Sequence, residues 1–191
     1  VESLRKDVRA LISVARMDAG RVNVMADDLL DIARLEASDA LELEPVPSGE
    51  LVRKTVTLLE PMAAASGITL QAEVEPGLPV ASADGRRLAR ALENLLRNAI
   101  DHATSQVQVA IARDELGLRF EVRDDGPGLP EHDGKVDLEH LDGRRARDDS
   151  AGLGLLVTRR VAEAHGGRIG AYNLPSGGAA VWFAIPLHSA V

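Results

Sequence analysis

The chain has 191 residues and no cysteine, enough for one well-buried domain plus an added element, and this excludes a disulfide scaffold and an all-cysteine metal site. A formal charge of −8 excludes a broad nucleic-acid surface, which needs a basic stripe. Hydrophobic residues make up 45% of the chain but aromatics only 2%, so the core must be built from Leu, Val, Ile and Ala. No apolar run reaches the roughly 20 residues that span a bilayer. No secretory signal is visible, and the start at Val1 reads as that of a fragment.

In chain order, Leu4, Val8, Leu11, Ala15, Asp18, Val22, Met25, Leu29 and Ile32 alternate four and three apart. That heptad seam predicts a long helix packed against a partner helix, or else an ordinary amphipathic helix packed on its own domain, with Asp18 its polar exception. Pro45, Pro47, Ser48 and Gly49 break it and read as a linker. Ser48 then caps a helix through Leu51, Val52, Val56, Leu59 and Met62 that stops at Gly67. Ile68 to Val74 and Val80 to Ala83 read as strands, and Asp84 opens a helix running to Ala103. Alternation at Val107/Val109/Ile111 and at Leu118/Phe120/Val122 predicts two strands joined by a turn at Asp114 to Gly117. Gly126 to Ala151 is polar and reads as a loop. Leu153 to His165 is helical with Gly166-Gly167 as its C-cap, and Arg168–Asn173 with Ala179–Ile185 form a closing hairpin. This order implies an α/β fold, a two-layer sandwich of a mixed sheet and about three helices behind a long N-terminal helix. The domain division is a helical segment 1–44 and a globular domain 45–191.

Three short motifs follow one another: Asn94-Leu95-Leu96-Arg97-Asn98, Asp124-Asp125-Gly126-Pro127-Gly128 and Gly152-Leu153-Gly154-Leu155. Asn94 and Asn98 lie four apart on a helical pattern, so their amides share a face. Asp124 ends a strand pattern and enters a turn whose glycines let backbone approach a ligand closely. Gly152 and Gly154 open a helix, where unpaired N–H groups favour phosphate oxygens. Together they describe a pocket for a magnesium-bound nucleotide.

The set resembles the N, G1 and G2 boxes of the ATP-binding domain of sensor histidine kinases, in the gyrase–Hsp90–histidine kinase–MutL superfamily with its Bergerat ATP-binding fold. The resemblance covers about Asp28 to Leu187. It implies ATP and Mg²⁺ as cofactors, with Asn94 and Asn98 as the catalytic pair and Asn98 as the metal ligand. It places Asp124 against the adenine amino group, with Asp125 facing solvent, and puts Gly126, Gly128, Gly152, Leu153, Gly154 and Leu155 around the nucleotide. His102 either packs near adenine or is an ordinary surface or core histidine. In the gyrase and Hsp90 branches a glutamate stands where this chain has Asn94, which cannot act as a general base. Glu93 beside it is turned about 100° around the helix. A kinase-type site is expected, and a topoisomerase-like ATPase is demoted.

Two features depart from the family pattern. Leu138-Glu139-His140-Leu141 stands where Phe-x-x-Phe often anchors a mobile ATP lid. Lys135, Arg144, Arg145 and Arg147 there either close over the triphosphate or form a solvated charge run with Asp148 and Asp149. No histidine precedes His102, so the phospho-accepting histidine is absent. Either the chain is cut after the first dimerisation helix or the protein is degenerate. The resemblance implies a cytoplasmic portion of a membrane-anchored bacterial sensor, homodimeric through its N-terminal helices, with a response regulator receiver domain as partner. The alternative is a nucleotide-binding regulatory module, a pseudokinase or an anti-sigma-type serine kinase.

Overall fold

The computed structural model describes residues 40–132, 135–136 and 151–187. The heptads of the first 39 residues and the expected lid positions at 137–150 lie outside these. In chain order come β1 (Glu44–Val46), α1 (Ser48–Ala65), β2 (Thr69–Val74), β3 (Ala81–Ala83), α2 (Gly85–His102), β4 (Gln106–Arg113) and β5 (Gly117–Asp124). They are followed by β6 (Glu131–His132), β7 (Lys135–Val136), α3 (Ala151–Ala164), β8 (Arg168–Asn173) and β9 (Ala179–Pro186).

The main sheet has the order β2-β4-β5-β9-β8. β2 runs parallel to β4 and the other pairs are antiparallel, so the sheet is mixed as expected. Alternation decides its faces. Val107, Val109 and Ile111 of β4, Leu118, Phe120 and Val122 of β5, and Phe183 and Ile185 of β9 are buried in one cluster with residues of all three helices. The two phenylalanines, paired across β5 and β9, stack with centroids 4.7 Å apart. Each fully buried large aliphatic contributes about 1.5–3 kcal/mol, so this shared face holds the sandwich closed.

The helices follow their apolar spacing. Val52, Val56, Leu59 and Ala63 bury one stripe of α1, and Leu88, Ala91, Leu92, Leu95, Leu96 and Ala99 one of α2. Both expected glycine stops form the same cap. Ile68 N–H reaches the Ala63 carbonyl (2.8 Å) and Gly67 the Ala64 carbonyl (3.1 Å), and Gly167 and Gly166 repeat this on Ala162 and Glu163.

Three local expectations are corrected. Ser48 does not cap α1: Pro47 occupies the N-cap position, and the Ser48 hydroxyl turns back to the Val46 carbonyl. The stretch read as a linker contains β1, which pairs with β3 through Val46↔Ala81 to Glu44↔Ala83. The polar loop after Gly126 contains the two-residue pair β6–β7.

On the sheet face away from the helices, β5 presents Arg119, Glu121 and Arg123. Burial alone would raise the Glu121 pKa, but hydrogen bonds from Arg123 and Tyr172 and the charge of Arg119 more than offset this, and it lies below the ordinary range. Arg119 stacks over Trp182 at 4.2 Å, and the two side chains cover that face of the sheet.

Candidate functional site

The site forms where α2 and α3 cross above the ends of β5 and β9. Asp84, 2% exposed, caps α2 by accepting the Arg87 N–H at 3.1 Å, and this starts the helix that carries both asparagines. Asn94 is 3% exposed and its Nδ2 donates to the Gly154 carbonyl at 3.3 Å. Thr158 donates to the same carbonyl at 2.9 Å. A Cβ added to Gly154 would stand 3.4 Å from Cβ and Cγ of Asn94, so the two helices meet with almost no space between them. Asn98 sits one turn later on the same face and is half-buried. Gly152, Leu153 and Gly154 occupy the first turn of α3, where N–H groups have no partner within the helix. The fourth residue of the last box, Leu155, points instead into the core at 6% exposure. The first and third boxes, 58 residues apart from Asn94 to Gly152 in sequence, are thus joined directly.

Strand parity sets the next residue. Asp124 continues the Leu118, Phe120, Val122 series and so lies on the helix side of the sheet. Burial raises its carboxyl pKa, opposed by N–H groups of Gly126 and Ala179 and by the nearby His102. The Gly126 N–H bond is 2.9 Å. A side chain at Gly126 would collide with the His102 carbonyl, so the G1 turn is seated against the end of α2. His102 itself is exposed at the rim, near Asp124.

Asp125 was expected merely to face solvent, and it does more. Its carboxylate accepts N–H groups of Thr104 (2.8 Å), Ser105 (3.0 Å) and Gln106 (3.1 Å) and the Ser105 hydroxyl (2.5 Å). These bonds, the Ser105 hydroxyl first, hold its pKa well below the usual carboxylate range. The two acids therefore differ: Asp124 lies on the helix side of the sheet, and Asp125 ties the turn after α2 to the G1 loop.

Two further residues escaped the sequence. His165, 2% exposed at the end of α3, has Nδ1 on the Val161 carbonyl (2.8 Å) and accepts the Asp84 N–H on Nε2 (3.0 Å). The same Asp84 also accepts the Glu42 N–H (3.3 Å), while Arg86 reaches Glu42 (2.7 Å) and Arg87 the Ala40 carbonyl (3.2 Å). The chain entering the domain is thus strapped to the start of α2. Asn173 bonds the main chain of Leu129. A histidine before a glycine pair and an asparagine closing a strand are their only local signals. Glu93, meanwhile, is turned toward Arg90 (3.9 Å).

Known proteins resemble this chain along most of its length. A profile of the family described as histidine kinase-, DNA gyrase B- and HSP90-like ATPase matches residues 83–189. The signal transduction histidine-protein kinase AfsQ2 of Streptomyces coelicolor is 34% identical over 187 residues, covering 94% of this chain and 32% of its own. Sensor histidine kinase MtrB of Mycobacterium tuberculosis is 31% identical over 191 residues, covering 97% of this chain and 33% of its own. Full-length ShkA, solved in complex with AMPPNP, has a TM-score of 0.79 at 31% identity and covers 95% of this chain and 39% of that one. The catalytic domain of the histidine kinase ThkA has a TM-score of 0.66 at 27% identity, covering 76% and 96%. The chain spans about a third of the length of the curated relatives it matches. All three boxes fall inside the matched span, and the chain belongs to the histidine kinase-, DNA gyrase B- and HSP90-like ATPase family, as an ATP-binding domain of the sensor histidine kinase type.

Proposed function

We propose that this chain is the ATP-binding part of a protein histidine kinase, which transfers the γ-phosphoryl group of ATP to a histidine outside the chain and onward to a response regulator receiver domain. The observation that carries the reading is the contact of Asn94 with Gly154, which sets two amide side chains beside the unpaired N–H groups of a helix start. That donor set fits a magnesium triphosphate. Amide oxygens are hard, neutral ligands suited to a metal that keeps several waters, and among the described residues no group of three or more His, Asp or Glu would hold a metal instead. Magnesium, when bound, neutralises charge on the phosphate oxygens.

In this reading Asn98 offers its amide oxygen to the metal, Asn94 orients phosphate or metal-bound water, and Gly152 to Gly154 present N–H groups to the phosphates. Asp124 accepts the adenine amino group, Gly126 and Gly128 shape the turn, and His102 lines the rim. Asn94 cannot take a proton from water, and Glu93 faces Arg90, so the site holds ATP without hydrolysing it quickly. The γ-phosphoryl group is kept for an imidazole nitrogen. The P–O bond to the leaving ADP breaks, the P–N bond forms, and the imidazole N–H proton passes to solvent. Residues 1–44 serve as the dimerisation segment and 45–191 as the catalytic domain. The kinase is the cytoplasmic portion of a bacterial sensor, anchored in the membrane through chain outside this one.

Calorimetry of the chain with ATP and ADP tests this. Binding should depend on Mg²⁺, and Asn98→Ala should abolish that dependence. In a longer protein carrying the acceptor helix, labelled ATP should leave acid-labile phosphate. An Asn98→Ala chain that binds ATP with undiminished magnesium dependence would remove the metal assignment.

A further inference from the structure

The hairpin between β8 and β9 grips the G1 loop at both of its ends. At the far end, Asn173 Oδ1 accepts the Leu129 N–H at 2.7 Å, and its Nδ2 donates to the Leu129 carbonyl at 2.9 Å and to Glu131 at 2.7 Å. One amide side chain thus pairs with both main-chain groups of Leu129, as a neighbouring strand would. Gly128 lies directly beneath it with φ +83°, and a Cβ there would stand 2.9 Å from Asn173 Oδ1. That position needs glycine twice over, for its left-handed backbone and for the approach of the amide.

At the near end the same hairpin holds Asp124. The Ala179 N–H lies near its carboxylate and favours the charged form. Gly178, at φ +90°, packs so closely on the Asp124 carbonyl that no side chain fits between them. The hairpin is itself fixed by Leu174 N–H to the Gly178 carbonyl and Gly177 N–H to the Leu174 carbonyl, each 3.0 Å. Asp124 and Leu129 are therefore the two fixed ends of a short glycine-containing loop, and Asn173 supplies one of the anchors.

We propose that Asn173 is a positioning residue for base selection: by fixing Leu129 it holds the Gly126–Gly128 turn so that the Asp124 carboxylate faces the adenine amino group. The inference rests on the reading of Asp124 given above. Without the anchor, the turn gains freedom at the glycines and the carboxylate loses its fixed direction. The phosphate end of the site, built on α2 and α3, does not depend on Asn173.

The test measures binding of Mg-ADP and Mg-inosine diphosphate to the 191-residue chain; inosine carries a carbonyl where adenine carries its amino group. Asn173→Ala should weaken ADP about tenfold, the size of one net hydrogen bond, and leave inosine diphosphate nearly unchanged. Asn173→Asp keeps the size and one acceptor of Asn173 but loses both donated bonds. Its second oxygen would face the Leu129 carbonyl and the Glu131 carboxylate, so it should weaken ADP at least as much as alanine does, and it serves if the alanine variant does not fold. Ser176→Ala, on the exposed tip of the hairpin, should behave as the unmutated chain. A folded Asn173 variant with an unchanged ADP-to-inosine ratio overturns the proposal alone. Equal binding of the two nucleotides by the unmutated chain overturns the Asp124 reading and the proposal with it.

Discussion

Replacing Asp124 by asparagine should separate binding from stability, because the same burial acts on them with opposite sign. The carboxylate is half-buried and its pKa is raised, so keeping it ionised opposes folding of the empty chain at neutral pH. Asparagine has the same shape and keeps an oxygen for the Gly126 N–H now bonded at 2.9 Å, so the variant should be at least as stable as the parent in urea. Binding moves the other way. A hydrogen bond to a charged acceptor contributes about 1.5–3 kcal/mol, so ATP should weaken by about 10- to 150-fold. Magnesium triphosphate, which lacks the base, should bind both proteins alike.

Acidification adds a further readout. In the proposed site adenine donates to the carboxylate form, and a raised pKa means that this form is lost as pH falls at values above the ordinary aspartate range of about 3.9. ATP affinity should therefore drop on acidification in the parent, earlier than an ordinary aspartate would dictate, and Asp124→Asn should lack that component. Calorimetry across a pH series, with parallel urea melts, measures both. If the variant weakens triphosphate as much as ATP, or loses stability in step with affinity, Asp124 is a structural residue and the argument fails.

Other outcomes follow from the same contacts. His165→Phe keeps a ring of similar size but leaves the buried Asp84 N–H without an acceptor, which should cost about 1–3 kcal/mol and be read by urea unfolding. Asp125 has a lowered pKa, so the stability it adds is present above the ordinary aspartate pKa of about 3.9 and is lost as pH falls below it. Acid melts of Asp125→Asn should show a shallower pH dependence than the parent, and identical slopes would discard the clamp. Ultracentrifugation should find the full chain self-associated and a chain beginning at Ala40 monomeric; a monomeric full chain at high concentration would discard the heptad reading.

The sequence made legible what depends on residues close together or on fixed periods. Alternation at Val107, Val109 and Ile111 and at Leu118, Phe120 and Val122 was enough to place two central strands and the face they bury. The three boxes were readable because amides one turn apart, an acid before a glycine turn and a glycine-rich helix start each have a local chemistry. What stayed hidden depends on partners distant in the chain. Prolines flank Val46 of β1, and the stretch looks like a linker until β3 lies beside it. Ser48 has the chemistry of a cap but turns to Val46 once that strand is fixed. Asp125, Asn173 and His165 act on residues 19 to 81 positions away, and nothing beside them in sequence says so. The alternation Arg119, Glu121, Arg123 on β5 carries no apolar signal of burial, yet Glu121 is 5% exposed because Arg119, Arg123 and Tyr172 converge on it.

The strap formed by Ala40 to Glu42 makes α2 a lever with both its ends in use. Eighteen residues of helix form a stiff rod about 27 Å long. Its first turn is held by the incoming chain through Asp84, Arg86 and Arg87, and Asn94 and Asn98 ride on its farther half. A rod does not absorb a displacement along its length; it passes it on. The strap therefore fixes the direction of the same rod that carries the two amides. The Asp84–His165 bond ties the start of this rod to the last turn of α3, whose opposite end carries the glycines.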